Sequence, residues 1–349
     1  MLRKVVLLSV LVVMLVAAAS AFGRSKGHIA SVVAGPEVGG KIAYTRNGGL
    51  WVYSGGEQHQ LTAGPKDHLD KRDAAPSFSP NGTQIVYSRI DEGFSDLYLL
   101  DLANPSSPIA LTDHRPNVEV GQVEIPGVTD GYNTLALWAN FPAWSPVGDE
   151  IAYTSDVGYE YPALWSIAPN GVKNGKLAGG LDYSQQTIEH PTWSPDGKKI
   201  AVANYTGTTG HIAQIWVYNL TTQEWRAITD AKEGAYDPAW SPDGRWIAFT
   251  MREEGVHNIY VVSTDSSTWT DTYPTPVQLT RDGADRGARS PAWSTDSSSL
   301  AYISLKGVSF DLYAADFTVD AADNPSLEQS QQLTDNATID ATSGLSWGK

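Results

Sequence analysis

The sequence predicts an all-β fold, a six-bladed β-propeller of four-stranded blades, its ring closed by three N-terminal strands plus one C-terminal strand. Three observations carry this expectation. A thirteen-residue phrase recurs along the chain, further short apolar runs accompany each copy, and the two ends of the repeat array are incomplete in complementary ways. Self-similarity at a period of about fifty residues marks a repeated supersecondary unit, and four strands per unit is the make-up of a propeller blade.

The phrase reads PAWSPDGRWIAFT at 238–250 and PTWSPDGKKIAVA at 191–203. Looser copies are PSFSPNGTQIVYS at 76–88, PAWSPVGDEIAYT at 142–154 and PAWSTDSSSLAYI at 291–303. The opening P-x-W-S is the expected first strand. The SPDG after it suits a hairpin: Pro fixes φ, Asp or Asn accepts local backbone hydrogen bonds, and Gly takes a positive φ with no Cβ to clash. At Thr295-Asp296-Ser297 the turn tolerates loss of both Pro and Gly, as a structural motif can.

The second strand recurs as KIAYT, QIVYS, EIAYT, KIAVA, WIAFT and SLAYI, and the third as LWVYS, DLYLLD, ALWSI, QIWVYN, NIYVVS and DLYAAD. The fourth ends in Leu61-Thr62, Leu111-Thr112, Ile228-Thr229, Leu279-Thr280 and Leu333-Thr334, with Leu177-Ala178 as the degenerate copy. Ile, Val, Tyr and Trp suit strands, and runs that are apolar at consecutive positions predict burial on both faces, as in a sheet held between two others. The repeats begin with a second strand at Lys41–Thr45 and end on a P-x-W-S-like strand, LSWGK, at 345–349. Joining these segments completes one blade and leaves no open sheet edge at the closure.

Residues 1–21 read as a secretory signal peptide: Arg3 and Lys4 open it, an apolar run follows from Val5, and Ala19-Ser20-Ala21 fits a small-x-small cleavage site. Retention as an anchor helix is the alternative; both place the remainder outside the cytoplasm. Residues 22–40 read as a short tether and 41–349 as the propeller, with an insertion at 113–141. The chain has 24 Lys+Arg against 39 Asp+Glu, a formal charge of −15, and no basic cluster. That balance disfavours nucleic acid and anionic lipid. With no cysteine, disulfides, thiolate metal sites and cysteine nucleophiles are excluded. No Gly-rich phosphate loop joins a strand to a helix, so no cofactor is expected.

The P-x-W-S-P-D-G-x-x-I-A-[YF] phrase resembles the TolB-type propeller repeats, which also build the propellers of prolyl-oligopeptidase-like enzymes. The resemblance covers about residues 41–349 and implies a propeller acting through protein contacts. Two family features are missing from the sequence. TolB itself carries an α/β domain before its propeller that contacts TolA, whereas only the tether stands here. The peptidase relatives carry a hydrolase domain, whereas no G-x-S-x-G occurs. There is no GH…WD signature of the WD repeat.

In a propeller the fourth-to-first and second-to-third connections emerge on one face, the top. Residues just before each P-x-W-S are expected to ring the mouth of the central channel: Asp73, Asn140, Phe141, Glu189, His190, Tyr236, Asp237 and Arg289. This mix of acids, bases and aromatic surfaces suits a peptide segment or a small polar ligand. The second-to-third-strand loops add Tyr159, Tyr161, His211, Arg252 and His257, with the aromatic and Arg content of interaction sites. The expected function is an extracytoplasmic scaffold that binds a protein or peptide at its top face, acts as a monomer and has no catalysis of its own. The alternative is a lyase- or hydrolase-like enzyme acting on polysaccharide or peptide, with Glu189, His190, Asp237 and Arg289 in acid/base and anion-binding roles. Propeller lyases with a related repeat hold a metal on a His cluster. Here His190, His211 and His257 correspond only by position, and no metal is expected.

Overall fold

The computed structural model describes residues 37–64, 72–91, 94–113, 138–156, 162–178, 187–205, 212–268, 273–281 and 287–349. The expected signal peptide, most of the tether and most of the 113–141 insertion lie outside the described residues.

Among the described residues, 24 strands form six four-stranded antiparallel sheets, and the other regular element is a 3-10 turn at Ser266–Thr268. Each sheet is a blade with its strands in sequence order from the axis outward. Blade 1 is the exception the sequence foretells: Ser346–Gly348 lies innermost, pairs with Lys41–Arg46 with Trp347 opposite Ile42, and is followed by Gly49–Ser54 and Glu57–Gln60. The inner strands of blades 2 to 6 are Arg72–Phe78, Ala139–Trp144, Thr187–Trp193, Ala235–Trp240 and Ala288–Trp293. Each starts before its P-x-W-S phrase.

The second strands are apolar along both faces because each face meets another blade. The core is six clusters, one per blade interface; between blades 4 and 5 it contains Ala201, Ile215, Ile247, Phe249, Tyr260 and Val262. Burying each large side chain contributes roughly 1.5–3 kcal/mol.

Polar chemistry fixes the spacing. In the SPDG turns, Asp196 accepts from the Ser194 hydroxyl (2.7 Å) and the Lys198 N–H (3.1 Å), and the Ser194 Oγ accepts the Lys199 N–H (2.9 Å). The same set recurs around Asn81, Asp243 and Asp296, with Gly82, Gly197, Gly244 and Ser297 at positive φ. The Leu-Thr pairs lie just beyond the fourth strand rather than at its end. There the Thr hydroxyl of 62, 112, 229, 280 and 334 accepts the backbone N–H of Leu50, Leu97, Ile215, Ile259 and Leu312.

The variable letter of P-x-W decides how neighbouring blades are stitched. Where it is Ser or Thr, its hydroxyl accepts a main-chain N–H from the next blade: Phe78 N–H to Ser346 (3.1 Å), Trp144 N–H to Ser77 (3.0 Å) and Trp240 N–H to Thr192 (3.3 Å). At Ala143 and Ala239 the carbonyl accepts the next indole instead, from Trp193 Nε1 (2.9 Å) and Trp293 Nε1 (3.0 Å). Trp144 Nε1 is buried without a partner. Trp193→Phe should therefore destabilise the protein by about 1–2 kcal/mol more than Trp144→Phe, since both lose the same atoms but only the first loses a hydrogen bond. Urea unfolding of the two variants checks this; equal losses would show that the indole stitch contributes nothing.

Candidate functional site

The expected ring residues sit inside the first half of the inner strands, rather than in loops ahead of them. In each of blades 2 to 6 the residue before the proline is left-handed: Ala75 (φ 51°), Phe141 (51°), His190 (49°), Asp237 (51°) and Ser290 (52°), with Gly344 (79°) in the matching place of blade 1. The pairing with the second strand breaks at these points, between Ala74 and Ser77, Asn140 and Ala143, Glu189 and Thr192, Tyr236 and Ala239, and Arg289 and Ala292. Such a bulge bends the strand and re-aims the side chains on either side. A non-glycine residue held there costs on the order of 1–3 kcal/mol.

The bulges set the waist of the channel. Above them is a cavity of about 940 Å³ and below them one of about 520 Å³; Ala75, Phe141, His190 and Ser343 line both. At the waist the Phe141 and His190 rings of neighbouring blades meet, with centroids 4.2 Å apart. The lower cavity is walled by the P-x-W strands and SPDG turns. The upper one gathers Asp73, Asn140, Phe141, Glu189, His190, Tyr236, Asp237, His257 and Arg289 from five blades.

Within the upper cavity the acids have partners. Asp237 lies 3.5 Å from His190 Nε2 and accepts from the Thr250 hydroxyl at 3.0 Å. The Ser290 Oγ is 3.4 Å from the same carboxylate and 3.1 Å from the Ala341 carbonyl, and its one proton serves one of them at a time. Glu189 accepts from Tyr205 OH at 3.2 Å; burial and then the Glu189 charge push that phenol's pKa far up, so it stays a donor. Tyr236 donates to the Glu233 carbonyl at 3.0 Å, and burial raises its pKa too. Asp73, 3% exposed, is tied to Arg89 by two bonds, Nε to Oδ1 at 2.8 Å and Nη2 to Oδ2 at 3.1 Å. Burial opposes the Arg89 charge, but Asp73 holds the guanidinium above its ordinary pKa while it stacks 4.5 Å over the Tyr98 ring. Asp73 thus braces the wall of the mouth.

His257 is predicted as a loop residue but lies in the strand Val256–Ser263, because the hairpin before it turns on Glu254 and Gly255. Its Nδ1 is 2.9 Å from Arg289 Nη2. A guanidinium can only donate, so Nδ1 accepts and the ring proton sits on Nε2. Burial, then the charges of Arg289 and Arg252, lower the His257 pKa to about 4. Arg252 also lies in a strand; it pairs with Glu233 at 3.5 Å and does not line the cavity. Tyr159, Tyr161 and His211 lie outside the described residues. Among the described residues no cluster of three or more His, Asp or Glu could hold a metal, and no helix is long and apolar enough to cross a membrane.

Sequence reasoning overlooked Arg72, Ser88, Thr250 and Asp340 as cavity residues. The repeat carries the signal for two of them: the position after I-A-[YF] is Thr or Ser in KIAYT, QIVYS, EIAYT and WIAFT, and that place points at the axis in Ser88 and Thr250.

These features define a closed six-bladed propeller with a polar, aromatic-lined channel mouth. Residues 173–343 match the TolB beta propeller domain. The Tol-Pal system protein TolB of Francisella tularensis subsp. mediasiatica is 33% identical over 143 residues, covering 39% of this chain and 31% of that protein. The uncharacterized peptidase YuxL of Bacillus subtilis is 24% identical over 229 residues, covering 64% of this chain and 28% of the relative. The chain therefore spans about a third of the length of these curated relatives. Among solved structures, TolB from Acinetobacter baumannii superposes with a TM-score of 0.61 at 16% identity, covering 91% of this chain and 69% of that one. A putative TolB from Agrobacterium tumefaciens gives 0.58 at 19% identity over 86% and 91%. At these identities the likeness is one of fold.

The His257 pKa gives a pH prediction. The unfolded chain binds a proton here below about 6.5 and the native site only below about 4, so stability should fall as pH drops from 6.5 towards 4. His257→Gln should flatten that part of the stability–pH profile, measured by denaturant unfolding between pH 7 and 4; an unchanged slope would mean that the imidazole is not held neutral.

Proposed function

We propose that this chain is an extracytoplasmic binding module whose upper cavity takes a segment of a protein or peptide partner, with no catalysis of its own. The observation that carries this reading is the roughly 940 Å³ cavity, in which Phe141, Tyr205 and Tyr236 alternate with Asn140, Glu189, His190, Asp237 and Arg289. Flat apolar faces interleaved with fixed donors and acceptors are what an extended chain needs, with stacking for side chains and hydrogen bonds for the backbone. The rigidity of a closed ring keeps the ordering cost on the receptor side small. The curated TolB relatives are named as proteins of the Tol-Pal system, in keeping with a protein partner. The N-terminal pattern of a charged start, an apolar run and small residues supports the extracytoplasmic setting.

A capture experiment tests this. Wild-type protein and a Glu189→Ala, Tyr236→Ala, Arg289→Ala variant are exposed to native envelope and secreted extract, and retained proteins are identified by mass spectrometry. A partner held at least tenfold more strongly by the wild type is expected. Equal retention by both would contradict the site, and turnover of a uronate-containing oligosaccharide or a peptide by the purified chain would contradict the absence of catalysis.

A further inference from the structure

We infer that the upper cavity contains a carboxylate-binding subsite built on Arg289, beside His257 and Tyr236, and that it takes one carboxylate of a peptide segment. This rests on the binding reading above and names the chemistry at one point of it.

Charge pairing at the cavity is unbalanced. Among the described residues, every carboxylate at the cavity has a partner: Asp73 has Arg89, Glu189 has Tyr205, Asp237 has His190 and Thr250, and Asp340 accepts the Gly48 N–H at 3.3 Å. Among the described residues Arg289 has no carboxylate within ion-pair distance, and the one hydrogen bond of its guanidinium there goes to His257 Nδ1. A guanidinium has five N–H donors in a planar fork, so most of its capacity is unused. It is half-buried, and burial lowers its pKa by more than the attraction of Asp237 restores. A desolvated cation with spare donors is the group that gains most from an incoming carboxylate, which it can grip through two parallel bonds.

His257 makes the arrangement suited to binding. Its neutral ring orients the guanidinium without cancelling the charge, and the Tyr236 ring, with its centroid 6.1 Å from that of His257, closes one side. Arg72 lines the same cavity and adds a second positive group. A chain of formal charge −15 repels a strongly acidic ligand at long range. The fitting occupant is therefore a mostly neutral segment with a single carboxylate, its neighbours resting on the tyrosines. That carboxylate is either a chain terminus or an Asp or Glu side chain.

The test follows the His257 ring nitrogens by NMR in the full chain. The probes are N-acetylglycine for a chain terminus, N-acetylaspartate α-methylamide for a side chain, the amide analogue of each, and galacturonate. Saturable shifts are expected with the carboxylates, at least tenfold tighter than with the amides, and the tighter of the two acids identifies the source. Arg289→Gln should weaken the response at least tenfold, and Arg289→Lys should restore charge but only part of the affinity, because the fork is lost. Spectral dispersion of each variant checks that it is folded. Equal responses to acid and amide, or an unaltered Arg289→Gln, would overturn the subsite; tightest binding of galacturonate would overturn the peptide assignment. The two proposals fail separately. A partner captured equally by wild type and by Arg289→Gln alone sinks this inference and leaves the binding module standing. Carboxylate binding with empty captures keeps the subsite and sinks the protein partner.

Discussion

The structure depends on one backbone constraint, repeated around the axis: the inner strands of blades 2 to 6 break step with their sheets just before the proline, and blade 1 has a left-handed Gly344 in the matching place. The residues at these places are Ala75, Phe141, His190, Asp237, Ser290 and Gly344, each left-handed. Only one of the six is glycine, so five positions carry strain that the surrounding sheets must hold. What they gain is a ring of side chains turned towards the channel and a waist that divides it in two. The binding surface is thus a consequence of how the ring closes.

The blades hold that geometry through contacts that the repeat encodes locally. Each interface has its own apolar cluster, and at five of the six the P-x-W letter selects a hydroxyl-to-main-chain or a carbonyl-to-indole stitch to the neighbour; after Ala292 the next indole, Trp347, donates to the Gly39 carbonyl instead. In five blades the Thr after the fourth strand ties the outer strand back to the third. Blade 3 has Ala178 where the others have Thr, and its SPVG turn has Val147 where the others have Asp or Asn. Losing these ties in one blade is tolerable when five others and the closure strand fix its position.

Much of this was legible in the sequence because the chemistry is short-range. The SPDG turn and the four apolar runs follow from residues a few positions apart, and the split blade of Ser346–Gly348 with Lys41–Arg46 follows from the complementary gaps at the two ends of the repeat array. The ring residues could be found by counting back from each proline. Their pairings could not: Arg289 with His257 and His190 with Asp237 join neighbouring blades along the channel wall, and no spacing in the chain reveals them. The bulges were hidden for a different reason. A residue before proline is biased towards extended backbone, so local rules argue against the left-handed conformation that closure imposes. The gap between the apolar runs WIAFT and NIYVVS places Arg252 and His257 in a loop, whereas the strands run on through both residues and the hairpin there is only two residues long.

The central claim is that closure forces a left-handed residue before each proline, and that the site is built on those residues. The most direct measurement compares the unfolding free energies of Ala75→Gly, Gly344→Ala and Ala143→Gly. A glycine added at a left-handed position relieves strain, whereas one added in regular strand costs roughly 0.5–1 kcal/mol. Ala75→Gly should be as stable as the wild type or more so, and Ala143→Gly less stable. Gly344→Ala should lose about 1 kcal/mol through backbone strain, since the added methyl would only touch the His190 ring at 3.8 Å. If Ala75→Gly loses as much as Ala143→Gly, and Gly344→Ala loses nothing, the inner strands do not break step there and the account of the channel fails.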